Sequence, residues 1–304
     1  MITPKILGVF LIFTSLSLIG VYLITQVKVI LFYGLMFLLF GCACFKHINA
    51  NVELLKGKTF FIYFSSPDLC REVCQSLLDI GAYLIIGIPE SHQILFNIKH
   101  VNLQIISLSA DNKQMKIQIN TLIKKLNEND QKLDGLMVMP TDARIVSNHG
   151  QVCQLNIDKL QSAIDSELVP KLVVTQLLLP VLTESRGRIL FVTSYRGRIS
   201  IPGQSVTCLI EHALESFCDC LRRELITNDI PLSLIEIPDI IDRKYTNPIK
   251  EILEALASAC PKDRYLVSDG VAIFNVPKMI LVMHNFIPTS LVDSFFTNFQ
   301  MMNQ

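Results

Sequence analysis

The sequence predicts an α/β fold, a doubly wound parallel sheet preceded by an N-terminal transmembrane helical hairpin. Two uncharged apolar segments lie within the first 45 of 304 residues, and the mean hydropathy of the chain is +0.43. After residue 58, apolar runs of about five residues alternate with helical patterns, as in parallel strands that are buried on both faces.

The predicted membrane anchor covers residues 1–48. Ile6–Val27 and Val29–Phe45 carry no charge, and only Lys28 separates them. As helices they would be roughly 33 Å and 26 Å long, close to the thickness of a bilayer core. A cleaved signal peptide is the alternative, but the second apolar run and the lack of a clear small-residue cleavage site argue against it.

Charge predicts which side of the membrane the main domain faces. The lysines that flank the hairpin are on one side of it, which places both ends in the cytosol or its equivalent. These lysines are Lys5, Lys46, Lys56 and Lys58. A mitochondrial presequence would be rich in Arg, and no Arg precedes Arg71.

Composition argues against several other classes. The formal net charge is zero and no basic run occurs, so we expect no nucleic-acid binding. The nine cysteines lack the spacing of a disulfide framework or a zinc site, which favours free thiols and no bound metal.

A polar connector, Asn49–Lys58, leads into the main domain, residues 59–304. The predicted strands are Phe60–Phe64, Tyr83–Ile88, Leu103–Leu108, Gly135–Met139, Arg188–Val192 and Leu232–Ile237. The predicted helices are Pro67–Ile80, Gln114–Asn127, Ile157–Leu168, Leu172–Leu182 and Ser205–Ile226. Gly81 marks the end of the first helix, and short apolar runs with helices between them predict parallel pairing.

Four segments carry a resemblance to a known family: "RGRILFVTSYRGRIS", "ALESFCDCLRREL", "RYLVSDGVAIF" and "FIPTSLVDSFF". They resemble the short-chain dehydrogenases/reductases, in particular the membrane-anchored branch of retinol dehydrogenases, 17β-hydroxysteroid dehydrogenases and D-β-hydroxybutyrate dehydrogenase. The likeness covers about Lys58–Phe299. It implies a Rossmann-like fold and an apolar tail, about 265–299, that packs beside the substrate mouth and the membrane.

The cofactor loop departs from the family pattern. The family uses Thr-Gly-x-x-x-Gly-x-Gly after the first strand, because a bare backbone lets the diphosphate approach the helix N-terminus. Here the loop is Tyr63–Cys70, and its glycine positions hold Phe64, Asp68 and Cys70. We expect the ring and the carboxylate to occupy the phosphate seat, so that no cofactor binds; NAD or NADP is the alternative.

The start of the following helix supports the same expectation. Ser66 is a candidate N-cap, Pro67 fits the first helical position, and Asp68 lies in the first turn. The Asp68 charge would interact with the helix dipole in place of a phosphate. A well-capped helix start without functional meaning is the equal alternative.

Three further cofactor contacts of the family are also replaced. The acidic residue after the third strand becomes Ser109, and the Asn-Asn-Ala-Gly turn after the fourth becomes Val138–Thr141. The Pro-Gly after the sixth strand becomes Pro238-Asp239.

The catalytic positions are vestigial. The family's serine survives as Ser194, but its tyrosine becomes Thr207, its lysine Glu211 and its asparagine, approximately, Glu167. A threonine hydroxyl beside a carboxylate is not a usable acid or base near neutral pH. Loss of the positioned acid/base costs on the order of 10² to 10⁴ in rate.

Other chemistry at these positions is weakly supported. A Ser194–His212 hydrolase lacks the Gly-x-Ser-x-Gly elbow. Glu167 and Glu211 could form a working carboxylate pair, although solvated or capping roles are more common. Tyr195 could replace the lost tyrosine only if its loop rotated.

The sequence therefore predicts a catalytically inactive relative of the family that acts by binding, as a scaffold, a subunit of a membrane complex or a holder of a lipid-like ligand. The alternative is an NAD(P)-dependent oxidoreductase for a steroid, a retinoid or a short hydroxy acid. The resemblance favours the endoplasmic reticulum, with the mitochondrial inner membrane second. In the family, the helix at 205–226 contributes to a dimer interface, so the resemblance allows a homodimer or a docked protein partner there. The alternative, which the helical spacing of its apolar residues favours, is that this helix only packs on the sheet.

Overall fold

The computed structural model describes residues 51–65, 67–90, 98–141, 152, 155–238 and 248–267. The chain divides into two units, Met1–Asn49 and Ala50–Gln304, and the described residues belong to the second. Several predicted features lie outside the described residues, namely both hairpin segments, the tail beyond Val267, Ser66 and Asp239.

Among the described residues, seven parallel strands form one sheet. They are β1 Thr59–Tyr63, β2 Tyr83–Pro89, β3 Leu103–Leu108, β4 Gly135–Val138, β5 Arg188–Ser194, β6 Leu232–Ile237 and β7 Arg264–Leu266. Their order across the sheet is β3-β2-β1-β4-β5-β6-β7, which confirms the doubly wound prediction. The strand order reverses direction between β1 and β4. In open α/β sheets, ligands bind at the carboxyl ends of the strands beside such a reversal.

In the part of the chain that the structure describes, six α-helices cover the two faces of the sheet. They are α1 Pro67–Ile80, α2 Asn112–Glu128, α3 Ile157–Ala163, α4 Val169–Ser185, α5 Ser205–Glu224 and α6 Pro248–Ala257. Helices α1 and α6 pack with one apolar core cluster, while α2, α4 and α5 pack with the other. Strands β1, β4 and β6 are buried along their whole length because each side of the sheet faces one of these clusters, whereas β3, at the end of the strand order, is only partly buried.

Helices α3 and α4 are joined by a π-helical turn, Ile164–Leu168, so the predicted separate helices form one run, Ile157–Ser185. Pro170 lacks the N–H that would continue a regular ladder, which accounts for an irregular turn just before it. Within the described part of the chain, this run alone is long and apolar enough to cross a membrane. Its Val174, Leu178 and Leu182 are fully buried in the core, as expected for a core helix.

Candidate functional site

The carboxyl ends of β1, β4 and β5 meet at the reversal point of the sheet, and a buried polar group follows each of them. Ser65 follows β1, Thr141 lies beyond β4, and Ser194 ends β5. The facing helices add Glu167 from the π turn, Lys171 from α4 and Glu211 from α5. All six side chains are buried, so their charges and donors must be satisfied within the protein.

Glu211 joins the ends of two neighbouring strands. Its Oε1 accepts a hydrogen bond from the Thr141 N–H at 3.2 Å, and its Oε2 accepts one from the Ser194 N–H at 3.0 Å. The side chain is 0% exposed. The carboxylate is thus a structural acceptor for backbone donors.

Glu167 and Lys171 connect the same site to β1 and β4. The Ser65 hydroxyl donates to Glu167 Oε2 at 3.0 Å, and the Lys171 ammonium lies 3.8 Å from that oxygen. Lys171 Nζ also donates to Thr141 Oγ1 at 2.7 Å. The ammonium therefore lies between a carboxylate and a hydroxyl with its side chain 0% exposed.

Burial dominates the electrostatics of this group. Burial lowers the pKa of Lys171, while the charges of Glu167 and Glu211 act in the opposite direction. Burial also raises the pKa of Tyr63, on β1, and the Glu167 charge adds to that shift. Tyr63 therefore stays protonated at neutral pH.

Of the four positions that the sequence predicts to be vestigial, the structure joins Ser194 to Glu211 by a hydrogen bond from the Ser194 N–H. Thr207 is buried in the first turn of α5, one turn before Glu211. The Ser194 hydroxyl oxygen accepts a hydrogen bond from the Arg196 N–H at 3.3 Å. Tyr195 donates its hydroxyl proton to the Val267 carbonyl, so this tyrosine is bonded elsewhere and does not replace the missing one.

The hydrolase alternative finds no support in the position of His212. Its Nδ1 lies 2.8 Å from the Cys208 carbonyl oxygen of its own helix. That contact holds the ring against the preceding turn of α5. Within the described ranges, no group of three His, Cys, Asp or Glu side chains could hold a metal ion.

The described residues between β1 and the first turn of α1 carry side chains that are mostly buried in the core. The Phe64 N–H donates to the Gly87 carbonyl at 2.9 Å, which extends the pairing of β1 with β2. Phe64 and Cys70 are fully buried members of the α1 core cluster, and Cys70 Sγ lies 3.8 Å from Cys74 Sγ. No described residue of this loop has a positive φ. With Asp68 in the first turn, these residues do not reproduce the glycine seat, so a nucleotide here would be held by other groups.

Comparison with known proteins identifies the family. A sequence profile described as short chain dehydrogenase matches residues 66–251, more than half of the chain. The chain is a member of the short-chain dehydrogenase family.

Its curated relatives include the retinol and steroid dehydrogenase branch. The chain is 26% identical over 185 residues to 3-amino-tetrahydro-pyrrolizinone reductase of Xenorhabdus hominickii, a match that covers 59% of this chain and 60% of that protein. It is 32% identical over 126 residues to mouse retinol dehydrogenase 5 (41% of this chain, 38% of the relative). It is 31% identical over 102 residues to bovine 17-beta-hydroxysteroid dehydrogenase type 6 (34% and 32%). Each match spans less than two thirds of the relative.

Solved structures of the family share the fold and correct one expectation. A short chain dehydrogenase from Leptospira borgpetersenii with bound NAD+ aligns with a TM-score of 0.59 at 15% identity, covering 73% of this chain and 95% of that one. A Burkholderia cenocepacia short chain dehydrogenase in complex with NADP aligns with a TM-score of 0.59 at 14% identity, covering 80% and 98%. The expectation that no cofactor belongs to this chain is therefore contradicted, because proteins of the same fold and family carry NAD+ or NADP. The sequence argument failed because it equated loss of the family's glycines with loss of the nucleotide.

A second ionic group, which sequence reasoning missed, lies beside β5, β6 and β7. One nitrogen of Arg264, Nη1, lies 2.9 Å from Glu215 Oε2 on α5 and 2.6 Å from Glu236 Oε1 on β6. Arg198 Nη1 is 3.4 Å from Glu236 Oε2. Burial first, and then the Glu236 charge, raises the pKa of Glu215 to about 7, although Arg264 and Arg198 oppose the shift. We call these four residues the arginine cluster.

Helix α5, where the sequence places a partner interface, packs most of its apolar residues against the protein's own sheet. Leu214 and Leu221 are buried in the core, and Phe217 packs edge-on against Phe191 with ring centroids 6.1 Å apart. Leu209 remains 46% exposed. This apolar stripe is therefore largely core, and Leu209 marks the part of it that a partner could reach.

Proposed function

We propose that this chain is a membrane-anchored short-chain dehydrogenase that no longer catalyses hydride transfer and acts by binding. Its partner would be a protein of a membrane complex, for which it serves as scaffold or subunit, or it would hold a lipid-like apolar ligand. The observation that carries the proposal is the role of Glu211. A carboxylate stands at the lysine position of the family, and both of its oxygens accept backbone hydrogen bonds.

The chemical reason is the loss of a tunable acid/base. A tyrosine hydroxyl needs an adjacent cation to act near neutral pH, since its ordinary pKa is about 10. Thr207 offers an aliphatic hydroxyl instead, and the neighbouring Glu211 carboxylate would disfavour its ionisation. Ser194 by itself can orient a carbonyl group but cannot exchange a proton with it at a useful rate.

The test is turnover by the full chain in detergent or nanodiscs. All-trans-retinol, a hydroxysteroid and 3-hydroxybutyrate, and their oxidised forms, are supplied with NAD(H) or NADP(H), and absorbance of the reduced nucleotide is followed. Retinol dehydrogenase 5, prepared in the same way, is the positive control, and Thr207→Val is the matched variant. We expect the wild-type rate to equal that of Thr207→Val. A rate well above that variant, for any substrate, would refute the proposal.

Nucleotide binding is measured separately, by the change in NADH or NADPH fluorescence. Binding without turnover agrees with the proposal, because it separates the family's cofactor from the family's chemistry. The second candidate function, an NAD(P)-dependent oxidoreductase for a steroid, a retinoid or a short hydroxy acid, is supported by the names of the relatives and by the nucleotide-bound neighbours. This second function requires both binding of the nucleotide and turnover of a substrate.

The proposed location is a membrane, with the endoplasmic reticulum favoured and the main domain in the cytosol. The support is the pair of uncharged segments before Phe45 and the lysines around them. We expect the protein to resist extraction from microsomes at alkaline pH. We also expect protease added outside the microsomes to digest the main domain. Cross-linking from a cysteine introduced at Leu209, with Ile117 as an equally exposed control, would report a partner on α5.

A further inference from the structure

Three buried charged residues at the carboxyl ends of the strands are linked to one another: Lys171 lies 3.8 Å from Glu167, and Thr141 bonds to both Lys171, through its hydroxyl, and Glu211, through its N–H. We call Glu167, Lys171 and Glu211 the buried clamp. Its two carboxylates receive donors from the ends of all three strands: the Ser65 hydroxyl, the Thr141 N–H and the Ser194 N–H. The clamp thereby ties α4 and α5 to the point where the strand order reverses.

Charge balance makes Lys171 the critical member. The exposed fractions of Glu167, Lys171 and Glu211 are 3%, 0% and 0%. An uncompensated buried charge is strongly unfavourable, whereas a paired and hydrogen-bonded one is tolerated. Lys171 supplies the one ammonium group that lies between the two carboxylates, and Tyr63 on β1, whose pKa is raised by burial and then by the Glu167 charge, stays neutral beside Glu167.

The clamp also explains an exchange of charge between two helices. In the family, the cation at this edge comes from the position of Glu211 on α5. Here α5 provides a carboxylate, and the ammonium group comes from Lys171 on α4, one turn after Glu167. A lysine at 211 would bring a second ammonium group to the Thr141 and Ser194 amides, beside Lys171 and with one carboxylate fewer.

We propose that Lys171 is the positioning residue of this edge: its ammonium group holds Glu211 against the ends of β4 and β5, and the family's lysine is excluded from position 211 while Lys171 is present. This inference rests on the proposed function only where it compares Glu211 with the lysine that the family has at this position. It predicts that the family's site cannot be rebuilt by Thr207→Tyr and Glu211→Lys unless Lys171 is also replaced.

The test is a double-variant cycle on the full chain in detergent, with thermal melting as the readout. Lys171→Met and Glu211→Lys are each expected to lower Tm by about 8–15 °C, because each leaves buried charge uncompensated. The combined variant has one carboxylate and one ammonium group, and it should recover at least half of the summed loss. Lys116→Met, at an exposed lysine of α2, is the control and should leave Tm unchanged. Simple addition of the two losses would overturn the proposal.

The pH dependence of melting separates a role of charge from a role of packing. In Lys171→Met, the two carboxylates are expected to favour protonation, so stability should fall more steeply than in wild type as pH rises from about 5 to about 8. If only the aliphatic stem of Lys171 mattered, the loss would be the same at every pH, and the proposal would fail.

A second variant covers the case in which Glu211→Lys does not fold. Glu167→Gln removes one carboxylate but keeps an oxygen that accepts from the Ser65 hydroxyl, and in the Lys171→Met background it should raise Tm at about pH 8. A further loss of Tm there would contradict the proposal. These melting results do not depend on nucleotide turnover, so failure of this proposal and failure of the proposed function are distinguishable.

Discussion

The buried clamp and the arginine cluster lie at the same edge of one sheet, yet they hold their carboxylates in different ways. In the clamp, the Glu211 carboxylate accepts hydrogen bonds from two backbone N–H groups, and the cation is Lys171, which is fully buried. In the arginine cluster, one guanidinium nitrogen of Arg264 contacts both Glu215 and Glu236, and the Arg264 side chain is 29% exposed. Glu215 Oε1 is buried, and no described residue hydrogen-bonds to it.

The comparison shows that the protonation of a buried carboxyl group depends on which hydrogen-bond donors surround it. The ends of the strands offer fixed backbone N–H donors, and each oxygen of the Glu211 carboxylate accepts a hydrogen bond from one of them. A single shared guanidinium leaves Glu215 with one satisfied oxygen, and burial raises its pKa to about 7. Burial alone would lower the pKa of Arg264, but hydrogen bonds and charges from Glu215 and Glu236 raise it overall. We therefore expect the arginine cluster to respond to pH near neutrality.

The largest effect in this comparison is expected for Arg264→Met. This change leaves Glu215 and Glu236 without their shared cation and should cost about 3 kcal/mol, toward the lower end for a broken buried pair because the arginine is partly exposed. The measurement is the free energy of unfolding of the detergent-solubilised chain. A loss below about 1 kcal/mol would show that solvent already screens the cluster.

The next effect is the pH dependence that Glu215 imposes. Its pKa in the folded protein, about 7, lies above its ordinary value of 4.5, so folding takes up a proton between these values. The resulting stability is fully present below about pH 4.5 and is lost as pH rises through about 7, a change of about 3 kcal/mol. Melting curves of wild type and Glu215→Gln across this range should diverge accordingly. Parallel curves would contradict the assignment.

A smaller loss is expected for Ser65→Ala, which removes the donor that the clamp receives from β1. Glu167 would lose its 3.0 Å hydrogen bond in a buried site, at a cost of about 1–2 kcal/mol. Ser76→Ala is the matched control, because the Ser76 hydroxyl donates to the Glu72 carbonyl on an exposed part of α1. Equal losses for the two variants would mean that the clamp does not depend on its link to β1.

The smallest effect is expected for Arg222→Met. Arg222 forms longer contacts of 3.5 Å with Asp219 and with Asp263, whose side chain is 72% exposed. Such pairs contribute about 0–1 kcal/mol. The same unfolding measurement compares it with Arg264→Met, and a loss as large as that of Arg264→Met would remove the distinction between the cluster and its exposed rim.

Much of the fold was accessible from the sequence because it depends on short-range patterns. Leu103–Leu108 and Leu232–Ile237 were predicted with their observed bounds, since each is a short segment rich in Leu and Ile between polar turns. Strand β7 was missed because its three residues, Arg264–Leu266, make no run. The α3–α4 region was predicted as two helices because Pro170 and Lys171 interrupt the apolar pattern.

The candidate site was accessible only in part. Thr207 and Glu211 stood out because they replace a tyrosine and a lysine at known spacing. Lys171 did not, because a lysine next to a proline in a helix is normally solvated. The one local signal was its spacing of four residues from Glu167. Its other contacts, to Thr141 and toward Glu211, join segments 30 and 40 residues away in the chain.

By itself, the sequence determined the family and the layered fold, since these depend on residue identity and local periodicity, and it predicted that the family's tyrosine and lysine are replaced. Only the tertiary structure decided what the substituted residues do. Whether a carboxylate is solvated, catalytic or a buried acceptor depends on which donors surround it, and those donors come from strands and helices far apart in the chain. At Glu211, the ends of β4 and β5 provide them.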